Sequence, residues 1–139
     1  MSEEKRTALI VDDEETVLDI ESIMLQRIGF NTLKANNSAE ACQLYEDKKE
    51  HIDIVVLDMI MPDESGANTY KRLKKLNPDI RVLITSGLEK NGNVDEILND
   101  GQNGFIQKPF KFDELTNNID RMLSLKKRFR TASGLDDSS

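Results

Sequence analysis

A doubly wound, three-layer α/β domain is predicted by three features of the chain. Five short apolar runs, 8–11, 30–33, 52–57, 81–85 and 104–107, alternate with stretches of helical spacing. The first, third and fourth runs are rich in Val, Ile and Leu on both faces, as in parallel strands covered by helices on each side. β-α repeated five times with right-handed crossovers then lays helices over both faces of one sheet.

The elements follow in order. After the strand at 8–11, Val17, Ile20, Met24 and Ile28 recur at helical spacing and predict the apolar face of the first helix, with Gly29 as its stop signal. The run at 30–33 is the weakest strand. Ser38 is expected to cap a second helix with Ala41, Cys42 and Tyr45 inward. After the strand at 52–57, a third helix is expected over 65–76, with Ala67, Tyr70 and Leu73 inward and Asn77-Pro78 ending it. The strand at 81–85 leads to a short, weakly patterned helix over 94–100. The turn residues Asn91-Gly92-Asn93 before it predict a mobile start. The strand at 104–107 is followed by a helix over 112–125 with Phe112, Leu115, Ile119 and Met122 on its apolar face. Asp113 and Glu114 suit the positive end of that helix. Residues 1–6 are expected to be an N-terminal extension and 7–125 the folded domain. Residues 126–139 are read as a basic helix end and a disordered tail, the small polar stretch from Arg130 onward having no pattern.

Size and charge exclude several classes. With 139 residues the chain is one domain, large enough to bury a core without disulfides. It is 37% hydrophobic and 32% charged, too apolar for a disordered chain, and it has no apolar run of membrane-spanning length. The N-terminus lacks the apolar stretch of a signal peptide, and a single cysteine, Cys42, forms no internal disulfide, so a cytoplasmic protein is expected. The net charge of −7 argues against binding nucleic acid. The basic run at 126–130 reads as a solvated helix end.

Ligands of open α/β sheets bind beyond the carboxyl ends of the strands. There the chain places Asp12 and Asp13 after strand one, Asp58 at the end of strand three, Ser86 after strand four and Lys108 after strand five. Each residue alone has a plain structural reading: a helix cap for Asp13 or Glu14, a loop acid for Asp58, a turn for Ser86, a solvated lysine for Lys108. Together they make a site. Carboxylates about 4 Å apart repel by roughly 4 kcal/mol at an effective dielectric of 20, and a hard divalent cation relieves this. All-oxygen ligation with few protein ligands suits Mg²⁺. A cation, an ammonium and a hydroxyl can then hold a phosphoryl group while one carboxylate acts as nucleophile.

These residues carry a resemblance. Residues 7–125 resemble the receiver domain of two-component response regulators. The matching segments are Leu9-Ile10-Val11-Asp12-Asp13-Glu14-Glu15, Leu57-Asp58-Met59-Ile60-Met61-Pro62 with Gly66, Leu83-Ile84-Thr85-Ser86-Gly87, and Gly101 through Phe105-Ile106-Gln107-Lys108-Pro109-Phe110. The resemblance implies a flavodoxin-like fold, with a five-stranded parallel sheet in the order 2-1-3-4-5 and five helices. It implies that Asp58 accepts a phosphoryl group from a phosphohistidine. It also implies that Asp13, Asp58 and the Ile60 carbonyl ligate Mg²⁺ directly, with Asp12 acting through metal-bound water. Lys108 matches the lysine that pairs with a phosphoryl oxygen. Ser86 rather than Thr85 matches the switch hydroxyl, since it stands 22 residues before Lys108 and just before Gly87. Phe105 matches the switch aromatic, and the Lys108-Pro109 bond is expected to be cis. Phe105 lacks a hydroxyl, and Gln102-Asn103 replaces the small residues common after Gly101.

The implied partners are a sensor histidine kinase or a histidine phosphotransfer protein, and a downstream protein that reads helix four, strand five and helix five; neither nucleic acid nor membrane is expected. No output domain follows residue 125 in this sequence. The domain is thus expected to act on a partner or to be a piece of a larger chain, a hybrid histidine kinase being one such parent; in its own right it is a phosphoacceptor rather than an enzyme. The competing reading is a small Mg²⁺-dependent phosphatase with Asp58 as nucleophile. Ile60 stands where such enzymes usually carry a second acid. A flavodoxin-like nucleotide binder would need Gly, Ser or Thr donors after strand one, where this chain has acids.

Overall fold

The structure, a computed structural model, describes residues 6–61, 63–87 and 92–134, with 125–134 described by their backbone alone. The elements alternate as β1 (Arg6–Val11), α1 (Glu15–Ile28), β2 (Phe30–Ala35), α2 (Ser38–Lys48), β3 (Ile54–Asp58), α3 (Gly66–Leu76), β4 (Val82–Ser86), α4 (Gly92–Leu98), β5 (Gly104–Gln107) and α5 (Phe112–Gly134). All strand pairs are parallel, and the sheet order is β2-β1-β3-β4-β5. This is the predicted flavodoxin-like fold, with its central strands apolar on both faces.

Alternation along the strands divides the core in two. Ala8, Ile10, Ile54, Val56, Leu83 and Ile106 pack under α1 and α5, against Leu18, Leu25, Leu115, Ile119 and Met122. Leu9, Val11, Val55, Leu57, Val82 and Ile84 face the other way, onto Ala41, Cys42 and Tyr45 of α2, Tyr70 and Leu73 of α3, and Val94 and Ile97 of α4. Cys42 is therefore a core residue, and burial raises its thiol pKa. Among the described residues no helix is long and apolar enough to cross a membrane.

Several local expectations differ from the structure, among them Phe112, expected on the apolar face of α5 but 38% exposed. The buried face of α1 is Leu18, Glu21, Ser22 and Leu25, one residue round from the predicted stripe. Val17, Met24 and Ile28 are half-buried, and Ile20 is 53% exposed. This helix carries apolar residues on several sides, so spacing alone does not select the inward one. The cap of α2 is Asn37, whose side chain accepts the Glu40 amide at 2.7 Å. Ser38 lies inside the helix, fully buried, and accepts a hydrogen bond from the Thr69 hydroxyl at 2.8 Å. Helix α4 starts earlier than predicted, at Gly92, and is anchored by buried Val94 and Ile97. Its expected mobile start falls partly on Asn91, outside the described residues. Finally, α5 runs on to Gly134, through the basic run, because nothing between Leu125 and Gly134 interrupts a helix. Residues 130–134, expected to be tail, belong to it; 135–139 lie outside the described residues.

Gly29 closes α1 as predicted. It sits at φ 115°, and its amide donates to the carbonyls of Leu25 and Gln26, the left-handed helix ending that glycine permits.

Candidate functional site

Strand geometry delivers the site. Ile10, Val56 and Ile106 face α1 and α5, and two residues further on the same alternation carries Asp12, Asp58 and Lys108 to that face at the carboxyl edge of the sheet. Asp12 is 1% exposed and Asp58 is 6% exposed, while Asp13 stands in the open. One carboxylate oxygen of each of the three lies within 4.8 Å of the others. An all-oxygen cluster of this size fits a small hard cation such as Mg²⁺, with Asp12, Asp13 and Asp58 as the residues to hold it.

The Lys108 ammonium joins the cluster. It donates to Asp12 Oδ2 at 2.6 Å and stands 3.7 Å from Asp58 Oδ1. The Lys108-Pro109 peptide is cis, as expected. The other Asp12 oxygen accepts the Glu14 amide at 3.0 Å and fixes the turn into α1; neither Asp13 nor Glu14 caps that helix with a side chain. Asp58 Oδ1 is also approached by the Ile60 amide at 3.4 Å.

Gly66 keeps this turn tight. A Cβ there would fall 2.6 Å from the Met59 Cα and 2.8 Å from the Asp58 carbonyl oxygen, so α3 can begin against the loop after Asp58 only with glycine. The Gly66 amide donates to the Met59 carbonyl at 2.8 Å. The Ile60 side chain is exposed beside the site.

Burial shapes the electrostatics. Asp58 is desolvated, and this raises its pKa to about 6 against the pull of Lys108. Burial acts to lower the Lys108 pKa, but the hydrogen bond to Asp12 and the charges of Asp58, Asp12 and Glu21 outweigh it and raise the value. At neutral pH the site therefore holds an ionised Asp58 facing a charged Lys108.

Ser86 and Phe105 lie on the opposite face of the sheet from Asp58. Ser86 is buried at the end of β4, and its carbonyl accepts the Lys108 amide at 2.7 Å. Phe105 pairs with Ile84 in the ladder and packs half-buried against the α2–α4 side of the core. Thr85 is paired with Asp58 and buried.

Two residues of this region were not singled out by sequence reasoning. Glu21 is 4% exposed on the inward face of α1, with its pKa raised to about 7, chiefly by burial; Lys108, Asp12 and Asp58 act on its charge. A shift of the predicted helix face by one residue would have found it. Asn103, noted only as a departure from the family pattern, is a buried connector. Its side-chain amide donates to Tyr70 Oη at 2.7 Å and to the Ile97 carbonyl at 3.0 Å, while its oxygen accepts the Val82 amide at 2.8 Å. It ties the end of α4 to α3 and β4, a role that small residues at this position could not fill.

Comparison with known proteins agrees with this geometry. The sensor kinase CckA of Brucella abortus is 32% identical over 117 residues, which is 84% of this chain but 12% of that protein. The phosphate regulon transcriptional regulatory protein PhoB of Pseudomonas aeruginosa is 31% identical over 120 residues, 85% of this chain and 52% of its own length. The chain thus spans about half or less of these curated relatives. Among solved structures, a response regulator receiver domain protein from Clostridium thermocellum superimposes with a TM-score of 0.76 at 29% identity, covering 89% of this chain and 98% of that one. The CheX–CheY–BeF₃–Mg²⁺ complex from Borrelia burgdorferi gives 0.79 at 28% identity, covering 85% and 89%. The family model described as response regulator receiver domain matches residues 8–120. With that span matched, and with the strand order and acidic edge that go with it, the chain belongs to the response regulator receiver domain family.

Proposed function

We propose that this domain accepts a phosphoryl group from a phosphohistidine onto Asp58, with Mg²⁺ bound, and that the change alters a protein-binding surface. The receiver family places the chain in two-component, phosphoryl-accepting signalling with histidine kinases as partners. The observation that carries the finer reading is the buried Asp58 carboxylate, flanked by Asp12 and Asp13 and faced by Lys108 at 3.7 Å.

In this reading an Asp58 oxygen attacks phosphorus in line with the imidazole. The new P–O bond forms as the P–N bond breaks, and the electron pair leaves with the histidine nitrogen. Asp13, Asp58 and the Ile60 carbonyl would hold Mg²⁺, with Asp12 reaching it through water, and the cation would supply neutralisation of charge on the transferred oxygens. Lys108 pairs with one of those oxygens, for which it need only swing from Asp12. The exposed Asp13 side leaves room for a donor to approach. Asp58 must be ionised to attack, and its pKa of about 6 keeps it so at neutral pH. A soluble, cytoplasmic setting goes with this reading, since the donor histidine is charged from ATP. The negative charge speaks against direct nucleic-acid binding. The phosphatase alternative lacks a second acid at Ile60.

The signal would leave through Ser86. Its hydroxyl, drawn toward the phosphoryl group, takes Gly87 with it and frees space for Phe105 on the same face of the sheet. Helix α4 is better anchored than its sequence suggested, through Val94, Ile97 and the Asn103 link. The surface of α4, β5 and α5 then presents a different shape to a partner, within the roughly 1–3 kcal/mol typical of such coupling. The test is labelling with acetyl phosphate and Mg²⁺, followed by amide chemical shifts. Wild type should gain one hydroxylamine-labile phosphoryl group and show shifts across residues 86–106. Ser86→Ala should be labelled equally and lose most of those shifts. A full shift pattern in Ser86→Ala would move the relay to another contact, and absence of any adduct in wild type would remove the proposal.

A further inference from the structure

Two consecutive acids in the loop after β3 end on the first turn of α2. The Asp63 carboxylate accepts the Ser38 amide at 3.2 Å on Oδ1 and 3.0 Å on Oδ2, and the Ala39 amide at 3.4 Å. Glu64 Oε1 accepts the Ser38 hydroxyl at 3.0 Å and is paired in turn with Arg72 of α3. The same Ser38 hydroxyl accepts from Thr69 Oγ1 at 2.8 Å. A carboxylate is favourable at a helix N-terminus, but α2 already has a local cap. Asn37 accepts the Glu40 amide at 2.7 Å, and Glu40 Oε1 accepts the Asn36 amide at 2.9 Å. The distinct consequence of Asp63 is therefore for the loop, which it ties to a helix 25 residues earlier in the chain.

The loop is held at its other end as well. The Gly66 amide donates to the Met59 carbonyl at 2.8 Å, and Met59 and Met61 bury their side chains on either side of Ile60. Ile60 lies between these ties, with its side chain exposed and its amide 3.4 Å from Asp58 Oδ1. An exposed loop residue has many backbone states open to it, and a carbonyl that must face a cation needs one of them.

We infer that Asp63 is a positioning residue: seated on the first turn of α2, it holds the loop so that Ile60 stays beside Asp58 with its carbonyl available to a divalent cation. The inference rests on the receiver reading of the site and adds a residue to it. The bonds of Asp63 go to α2; it acts on the site through the backbone that joins it to Ile60.

The experiment compares the full chain as wild type, Asp63→Ala, Asp63→Asn and Asn37→Ala, with Mg²⁺ alone as the probe. Asp63→Ala and Asn37→Ala each remove an acceptor from the same helix turn, so both should melt lower than wild type. Only Asp63→Ala frees the loop. By calorimetric titration it should bind Mg²⁺ roughly fivefold more weakly than wild type, because a smaller fraction of molecules has the loop in place. Asn37→Ala should match wild type in affinity. Asp63→Asn loses the charge but keeps an acceptor oxygen, and it should recover most of the affinity. In chelator, the Gly66 amide should exchange its hydrogen faster in Asp63→Ala than in wild type or Asn37→Ala, which reads the loop with no cation present. Wild-type affinity in Asp63→Ala overturns the inference. So does an equal loss in Asn37→Ala, which would make any loosening of α2 sufficient. An equal loss in Asp63→Asn overturns it too, since the charge and not the bond would then be responsible. If wild type binds no Mg²⁺, the cation reading of the site falls, while the exchange rates still decide whether Asp63 holds the loop.

Discussion

Asp58→Asn is expected to abolish phosphorylation outright while leaving the fold intact. The amide is nearly isosteric with the carboxylate, and the environment of Asp58 is one in which a neutral group costs less than a charge, since burial already raises its pKa to about 6. Strand β3 and its pairing with β4 do not depend on that charge. An amide, however, is no nucleophile toward phosphorus, and losing the carboxylate would also remove one of the proposed cation ligands. Intact mass after exposure to acetyl phosphate and Mg²⁺ is the measurement. Wild type should gain one phosphoryl group and the variant none. Equal labelling of the variant would put the acceptor elsewhere, with Asp53 and Asp63 the next acids to replace. Asp53 is engaged by the Thr7 amide at 2.8 Å, and Asp63 by the Ser38 amide at 3.0 Å, so both have structural roles that a search would have to respect.

The second large effect concerns stability without metal. Asp58 moves from 3.8 in the free side chain to about 6, and Glu21 from 4.5 to about 7, both raised by burial. The folded protein therefore holds these protons to higher pH than the unfolded chain does. Their contribution to stability is fully present below about pH 4 and is lost as pH rises through about 6 and 7. Lys108 acts in the opposite range: its raised pKa contributes stability that persists until pH climbs past the lysine range. Thermal melts in chelator at pH 4.5 and 7.5, for wild type and Asp58→Asn, isolate the Asp58 share from the titration of surface carboxylates. Wild type should lose stability relative to the variant on going to pH 7.5, by on the order of 2 kcal/mol. In a domain of this size that is roughly 5–10 °C in Tm. Mg²⁺ at pH 7.5 should return the loss in wild type by binding the folded state. Asp13→Ala should show little return, because the exposed carboxylate that completes the cluster is gone. A wild type that tracks Asp58→Asn at both pH values would mean the carboxylate is not destabilised in the fold.

The outer parts of the site were legible because strands have a period of two and end where turn and charge residues begin. Asp12, Asp13, Asp58, Ser86 and Lys108 each follow an apolar run, and parallel strands bring all such ends to one edge. The inner part was hidden by the helices. Helix α1 carries Val17, Leu18, Ile20, Ile23, Met24, Leu25 and Ile28, so more than one stripe of it satisfies helical spacing. Ile20 and Ile23 are exposed at 53% and 57%, while Glu21 is buried. At the start of α2, Asn37 and Ser38 are both competent caps, and only the placement of Asp63 and Thr69 decides that Ser38 turns inward. Asn103 shows the same limit, since its three partners come from β4, α3 and α4.

By itself the sequence determined the fold class, the parallel sheet, the four crossovers and the acids, hydroxyl and lysine at its carboxyl edge. Those properties depend on local period and on which residue follows each strand, and both are written along the chain. Tertiary structure alone decided which side of α1 meets the sheet and that Lys108 rests on Asp12. Such choices are settled by competition among packings of similar local quality. The winner here is the one that buries Leu18 and Leu25 under the sheet.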